Sequence, residues 1–151
     1  MRHTAIRFLL VVIEVIVGLG AIGGGIAILT GSFDQYIPLA WLQGTPFSDY
    51  TIPGLILLIV IGGGMLAAAA TVFVQHEWAV LLSAAMGLVM IGFEIFEVGI
   101  IDRYADAIIP STIAQQALMS GLGLVIFGIA SYLWMSEYRQ HHFPTSPVSH
   151  A

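Results

Sequence analysis

The chain has no cysteine, which excludes disulfide exchange, thiolate catalysis and cysteine-ligated metals or iron–sulfur clusters. It has no lysine. Four arginines (Arg2, Arg7, Arg103 and Arg139) stand against nine Asp and Glu, for a formal charge of −5. That leaves no basic patch for nucleic acid and no polybasic segment for anionic lipid headgroups. The five histidines, His3, His76, His141, His142 and His150, all lie outside the long apolar runs. A haem held by two histidines within a membrane is therefore excluded as well. Charged residues make up only 9% of the chain, far below the share found in soluble globular domains.

What is present is apolar: 58% of residues are hydrophobic and the mean hydropathy is +0.96. The apolar residues fall into four runs, Ala5–Leu29, Gly54–Val74, Trp78–Ile101 and Ile113–Met135. A hydrocarbon core roughly 30 Å thick needs about 20 helical residues at about 1.5 Å each, so every run is long enough to span. The expected fold class is all-α, a polytopic membrane protein built as an antiparallel bundle of four transmembrane helices. Residues 1–135 form the transmembrane domain, and the polar residues 136–151, with Pro144 and Pro147, read as a disordered cytoplasmic tail. The first run is too long for the core of a cleavable signal and has no clear Ala-x-Ala site, so it is expected to stay as a helix.

Arg2 and Arg7 precede the first run, Arg139 follows the fourth, and Arg103 lies between the third and fourth. This bias predicts both termini on the cytoplasmic side. Aromatic residues agree with these edges: Phe33, Tyr36, Trp41, Phe47 and Tyr50 crowd the first outer connection. Gln75-His76-Glu77 leaves room only for a tight turn between antiparallel helices. Pro110 bounds the last connection, and Thr112 with Gln115 fits a capping box opening the fourth span.

Lipid tails are as apolar as leucine, so helices associate through small residues that let backbones approach. Gly18, Gly20, Gly23, Gly24 and Gly25 in the first run, with Gly20 and Gly24 at small-xxx-small spacing, suit such contacts. So do Gly62-Gly63-Gly64, Gly87, Gly92, Gly121, Gly123 and Gly128. The same faces suit a homodimer or a place in a larger membrane complex; the bilayer itself is the other expected partner.

Three carboxyls lie within the runs: Glu14, Glu94 and Glu97. An ionisable group at that depth costs about 3 kcal/mol or more, which makes it a functional candidate by default. Glu14 shares a helical face with Gly18, Ala21 and Gly25, so it points at a neighbouring helix. Glu94 and Glu97 are three apart and share a side of the third span. From the helical rise the three stand at different depths, a ladder rather than a cluster. They are candidates for proton or ion coupling. The plain structural alternative has Glu14 hydrogen-bonded to a neighbouring helix and Glu97 reaching outward to Arg103. A metal site on Glu94 and Glu97 is not expected, since hard cations want more oxygens in one place. Near the interface, Asp49, Tyr50, Asp102 and Arg103 are candidates for contact with a substrate or partner. His76-Glu77-Trp78 suits a quinone headgroup, but a solvated turn with an interfacial tryptophan is the commoner arrangement.

The connection from Leu42 to Gly54 is dense in turn formers and aromatics (LQGTPFSDYTIPG), with Gly44 and Pro46 fixing a turn. Thr51 is expected to cap the second span, with Pro53 in its first turn. Such a segment reads as a lid over the bundle mouth or as a contact surface. Together with Gly62-Gly63-Gly64 and the His76-Glu77-Trp78 turn, it resembles a group of small four-span bacterial membrane proteins with no assigned activity. The resemblance covers residues 40–130; it implies a bacterial inner-membrane location and the four-helix layout, and transfers no functional residues. Ile13-Glu14-Val15-Ile16 is similar to the membrane carboxylate segment of small multidrug-resistance transporters, but no other helix of theirs has a counterpart here.

Three functional classes remain. First stands a non-enzymatic structural or accessory component of a membrane complex, favoured by small size and the lack of a catalytic constellation. Second is a proton- or cation-coupled transporter using Glu14, with Glu94 and Glu97. Third is a quinone-binding subunit or other membrane enzyme, which needs polar groups converging at one depth. No catalytic residue, metal site or cofactor is expected.

Overall fold

In a hydrocarbon solvent every backbone amide must find its partner within the segment, so apolar runs of this length become helices. The computed structural model describes residues 2–76, 78–100 and 110–142, and among them there is helix, turn and no strand. Helix α1 spans Arg2–Leu29. A 3₁₀ turn at Leu39–Leu42 interrupts the long connection. The second span begins as α2 (Thr51–Leu55), continues as a π-helix over Ile56–Gly63, and ends as α3 (Gly64–Phe73). Helices α4 (Ala79–Ile100) and α5 (Pro110–His142) complete the chain. Among the described residues four stretches are long and apolar enough to cross a membrane: Thr4–Leu29, Thr51–Phe73, Ala79–Gly99 and Ile113–Ser136.

Two helix pairs make the bundle. Helix α1 packs along the whole second span, α4 packs along α5, and α3–α4 and α1–α5 contacts join the pairs. The α3–α4 turn closes with Gln75 at a positive φ of 56°; Glu77 lies outside the described residues. For orientation, the end carrying this turn is the hairpin end, and the end carrying the Thr30–Tyr50 connection is the loop end.

Glycine sets the distance within each pair. A methyl added at Gly25 would stand 2.8 Å from the Leu58 amide nitrogen and 2.9 Å from the Gly54 carbonyl oxygen. One at Gly18 would meet Leu66 at 3.0 Å and the Gly62 carbonyl oxygen at 3.2 Å, and one at Gly62 would meet the Gly18 carbonyl oxygen at 3.2 Å. In the other pair Gly87 and Gly123 face each other's carbonyl oxygens at 2.8 and 3.1 Å in the same sense. The face Glu14, Gly18, Ala21, Gly25 is thus the packed one. Gly20, for which the sequence pattern suggested a small-xxx-small contact, faces open space, as does Gly23.

The π-helix follows from this seam. Gly18 and Gly25 are seven residues apart, close to two α-turns, whereas their partners Gly62 and Gly54 are eight apart. At 100° per residue, eight residues overshoot the face by about 80°. Widening the winding to i→i+5 bonds takes up the surplus residue and returns both glycines to α1.

Three sequence expectations change at helix ends. Thr51 does not cap the second span, because it is already the first helical residue; Tyr50 stands at the N-cap without a side-chain bond, and Asp49, one residue earlier, accepts the Thr51 amide on its Oδ1 at 2.8 Å. Helix α5 starts at Pro110, which suits a first-turn position because proline lacks the donor that is orphaned there; Thr112 is therefore inside the helix and not its N-cap. The same helix runs to His142, taking in the start of the segment expected to be a disordered tail, and residues 143–151 lie outside the described ones.

Buried apolar side chains fill the centre, including Leu10, Met65, Ile126, Ala130 and Leu133. Phe8, Ile16, Leu19, Ile59, Ile95 and Leu124 point outward, as a lipid-facing surface requires. The close backbone contact at Gly25 leads to a direct test. Gly25→Ala and Gly87→Ala must push helices apart and are expected to lower stability by about 1–3 kcal/mol, measured by denaturant titration in micelles. Gly20→Ala, with open space around it, is expected to be neutral or to gain from the better helix propensity of alanine.

Candidate functional site

Helix α1 turns Glu14 into the middle of the bundle because Gly18 and Gly25 hold that face against the second span. The residue is fully buried, with 0% exposure, and one turn to either side Leu10 and Val17 are buried too. The register set by Gly18 against Gly62 and Leu66 brings the alanine-rich start of α3 level with it. From α4, Ser83 lies beside the carboxyl. The serine hydroxyl, however, donates to the Ala79 carbonyl oxygen at 3.1 Å, and neither Glu14 Oε has a hydrogen-bond partner among the described residues. The structural alternative expected a hydrogen bond to a neighbouring helix, and the neighbour placed to make it is Ser83 of α4. Ser83 Oγ keeps lone pairs that can accept a proton-bearing carboxyl, so the arrangement suits a group that gains and loses a proton in place.

The other carboxyls are elsewhere. Measured from the middle of each span along the helical rise, Glu14 is about 4 Å toward the hairpin end. Glu94 is about 8 Å and Glu97 about 12 Å toward the loop end. The expected ladder is therefore what the helices build, and the three do not converge. Glu94 and Glu97 do meet each other's field. Glu94 is buried with 7% exposure and Glu97 is half-buried.

The loop folds over the end of α4. Gly44, at a φ of 82°, turns the chain after the 3₁₀ segment. Thr45 Oγ1 donates to the Leu42 carbonyl oxygen at 2.7 Å and accepts the Phe47 amide at 3.2 Å. Phe47 then meets Phe96 edge to face, with ring centroids 5.9 Å apart at 72°. Tyr50 is half-buried, donates to the Pro38 carbonyl oxygen at 3.2 Å, and feels the charge of Glu97. Burial first, and that charge second, push the Tyr50 phenol up to about 12. Asp49 is exposed, and the Thr51 amide and hydroxyl hold its carboxyl below the usual range. Beside Tyr50 a cleft of about 490 Å³ opens between the end of α1 and the loop, lined by Ile28, Leu29, Asp34, Asp49 and Tyr50 among others.

Of the candidates named from sequence, Glu97 lies within the field of both Glu94 and Tyr50, Glu14 stands apart, and Asp49 serves the helix start. Asp102 and Arg103 lie outside the described residues, so the proposed reach of Glu97 to Arg103 does too. Sequence reasoning missed two buried polar residues, Ser83 at 0% and Gln116 at 8% exposure. The signal for Ser83 was present, because 83, 87, 90, 94 and 97 step along one face of α4 at spacings of four and three. At the hairpin turn, His76 Nδ1 accepts the Trp78 amide at 3.3 Å and both residues are exposed, as in a solvated turn. Among the described residues no three His, Asp or Glu are grouped to hold a metal ion. No protein-family model, curated protein or solved structure matches the chain.

Two outcomes follow. A carboxyl buried without a partner costs about 1–3 kcal/mol, so Glu14→Met, similar in volume and apolar, is expected to raise stability toward denaturant in micelles. A fall would mean the carboxyl supports the fold. In a pH titration of phenolate absorbance, Tyr50, isolated as the difference from Tyr50→Phe, should titrate near 12. Glu97→Gln should lower that midpoint by removing a like charge, while burial keeps it above that of a free tyrosine.

Proposed function

We propose that this chain is a small proton-coupled cation transporter of the bacterial inner membrane, with Glu14 as the carboxyl that exchanges protons. One observation carries the reading. A fully buried glutamate in the centre of the bundle faces Ser83, whose hydroxyl is already bonded within its own helix, although such a group is costly at that depth and an apolar residue would pack there. The accessory reading accounts for the glycine seams and the small extramembrane surface, but gives this carboxyl nothing to do. A resident enzyme site is less well supported, because the polar groups are spread along the membrane normal.

In this reading both termini are cytoplasmic, in keeping with Arg2, Arg7 and Arg139, and the loop end faces outward. Leu10 closes Glu14 from the hairpin end, and the buried methionines Met65, Met86 and Met90 separate it from Glu94. Exchange with either side then needs one of these apolar barriers to open at a time. Methionine suits a barrier that re-forms, being unbranched and readily repacked.

The test is proton flux in proteoliposomes holding purified protein and an internal pH dye, with a panel of cations outside. Wild type should move protons when a transported cation is supplied, and Glu14→Gln should fall to the rate of empty liposomes. Equal rates for wild type, Glu14→Gln and empty liposomes would refute the reading and return the accessory role to first place.

A further inference from the structure

Local geometry shapes the cleft between the end of α1 and the loop. Gly31, at a φ of 73°, turns the chain out of α1, and the Asp34 amide donates to the Gly31 carbonyl oxygen at 3.1 Å. A methyl at Gly31 would stand 2.9 Å from Asp34 Oδ2, so the glycine is what lets the Asp34 carboxylate lie against the helix end. At the start of the second span, Asp49 Oδ1 is held by the Thr51 amide at 2.8 Å, which keeps its carboxyl below the usual range. The Tyr50 hydroxyl donates to the Pro38 carbonyl oxygen at 3.2 Å and fixes the ring beside the cleft. Ile28, Leu29, Ile37 and Leu39 add an apolar lining. The volume, about 490 Å³, is in the range of pockets that hold small organic molecules. By sequence, the connections 30–50 and 101–109 at this end hold Asp34, Asp49, Asp102 and Asp106 against Arg103. Their charge is negative however these groups pair.

We propose that this cleft binds a hydrophobic organic monocation, an ammonium-type head carrying hydrocarbon. Three features of the lining select it together. Asp34 and Asp49 draw positive charge toward the cleft. The Tyr50 ring attracts a cation to its face, best when the cation is weakly hydrated. The four aliphatic side chains take hydrocarbon out of water. A bare metal ion leaves that apolar lining unused, and an anion is repelled by the aspartates. A zwitterionic phospholipid brings its phosphate up against the same two carboxylates. Asp34, Leu39 and Asp49 are exposed, so the cleft is reached from the loop end without opening the bundle. Glu14 lies near the bundle centre, and the binding stands whether or not it exchanges protons.

Equilibrium dialysis of radiolabelled benzyltrimethylammonium against the purified full-length chain in an uncharged detergent tests this. Sodium chloride in excess holds the ionic strength constant, so saturable binding then reports more than charge. Wild type should bind saturably, and benzenesulfonate, an anion of similar size, should not. Asp34→Asn combined with Asp49→Asn should weaken binding about fivefold, as loss of two exposed ion pairs implies. Asparagine at 49 keeps an acceptor for the Thr51 amide, which separates loss of charge from loss of fold. Tyr50→Leu should weaken binding about threefold through loss of the ring, and Tyr50→Phe should retain it. Glu14→Gln should bind as wild type does, so that a failed proton-flux experiment and a failed cleft are told apart. Absence of saturable binding in wild type would overturn the proposal, as would equal binding of benzenesulfonate. Binding unchanged in the double asparagine variant, or lost only in Glu14→Gln, would overturn the assignment to this cleft.

Discussion

Backbone-to-backbone approach at glycine is the interaction on which this molecule depends. In lipid there is no hydrophobic gain in bringing two helices together, so their attraction comes from dispersion and must be collected at short range. Gly18 and Gly25 against Gly62 and Gly54, and Gly87 against Gly123, provide that range. The first seam has a consequence beyond adhesion. Its partners are spaced seven residues on one side and eight on the other, and the second span absorbs the difference by winding as a π-helix over Ile56–Gly63. An irregular winding of this kind costs helix hydrogen-bond geometry, and it sits where the packing demands it.

Because the glycine face of α1 is also the Glu14 face, the contact that holds α1 to the second span also carries a carboxyl into the bundle centre. On α4 the same economy recurs, since the stripe that bears Gly87 continues to Ser83 at one end and to Glu94 and Glu97 at the other. Packing contacts and buried polar residues therefore share the same helix faces. The buried methionines between Glu14 and Glu94 divide the polar positions into two levels, one near the membrane centre and one under the loop.

Much of this was legible in the sequence. Run length gave four spans, the three-residue turn gave an antiparallel pair, and helical spacing put Glu14 with Gly18, Ala21 and Gly25. The depths of Glu94 and Glu97 follow from counting residues. What could not be read was pairwise. The choice of Gly18 and Gly25 over Gly20 depends on which helix lies opposite, and the π-helix arises from a mismatch between two helices that neither records alone. Gln116 becomes notable only once the packing of α5 buries it. The loop was legible in kind, as a turn-rich aromatic segment over the bundle mouth, but the Phe47–Phe96 contact needed coordinates. At helix ends local chemistry misled, because Thr51 is a good cap by type, yet the helix starts on it and Tyr50 holds the cap position.

As a proton-exchanging group, Glu14 would have to gain and lose its proton while buried. Infrared difference spectroscopy of the protein in lipid, stepped in pH and compared with Glu14→Gln, decides this. Exchange gives a carboxyl carbonyl band whose amplitude follows the pH step and which is missing from the Glu14→Gln spectrum. A pH-difference spectrum identical in the two proteins would mean that Glu14 is fixed in one state and exchanges nothing.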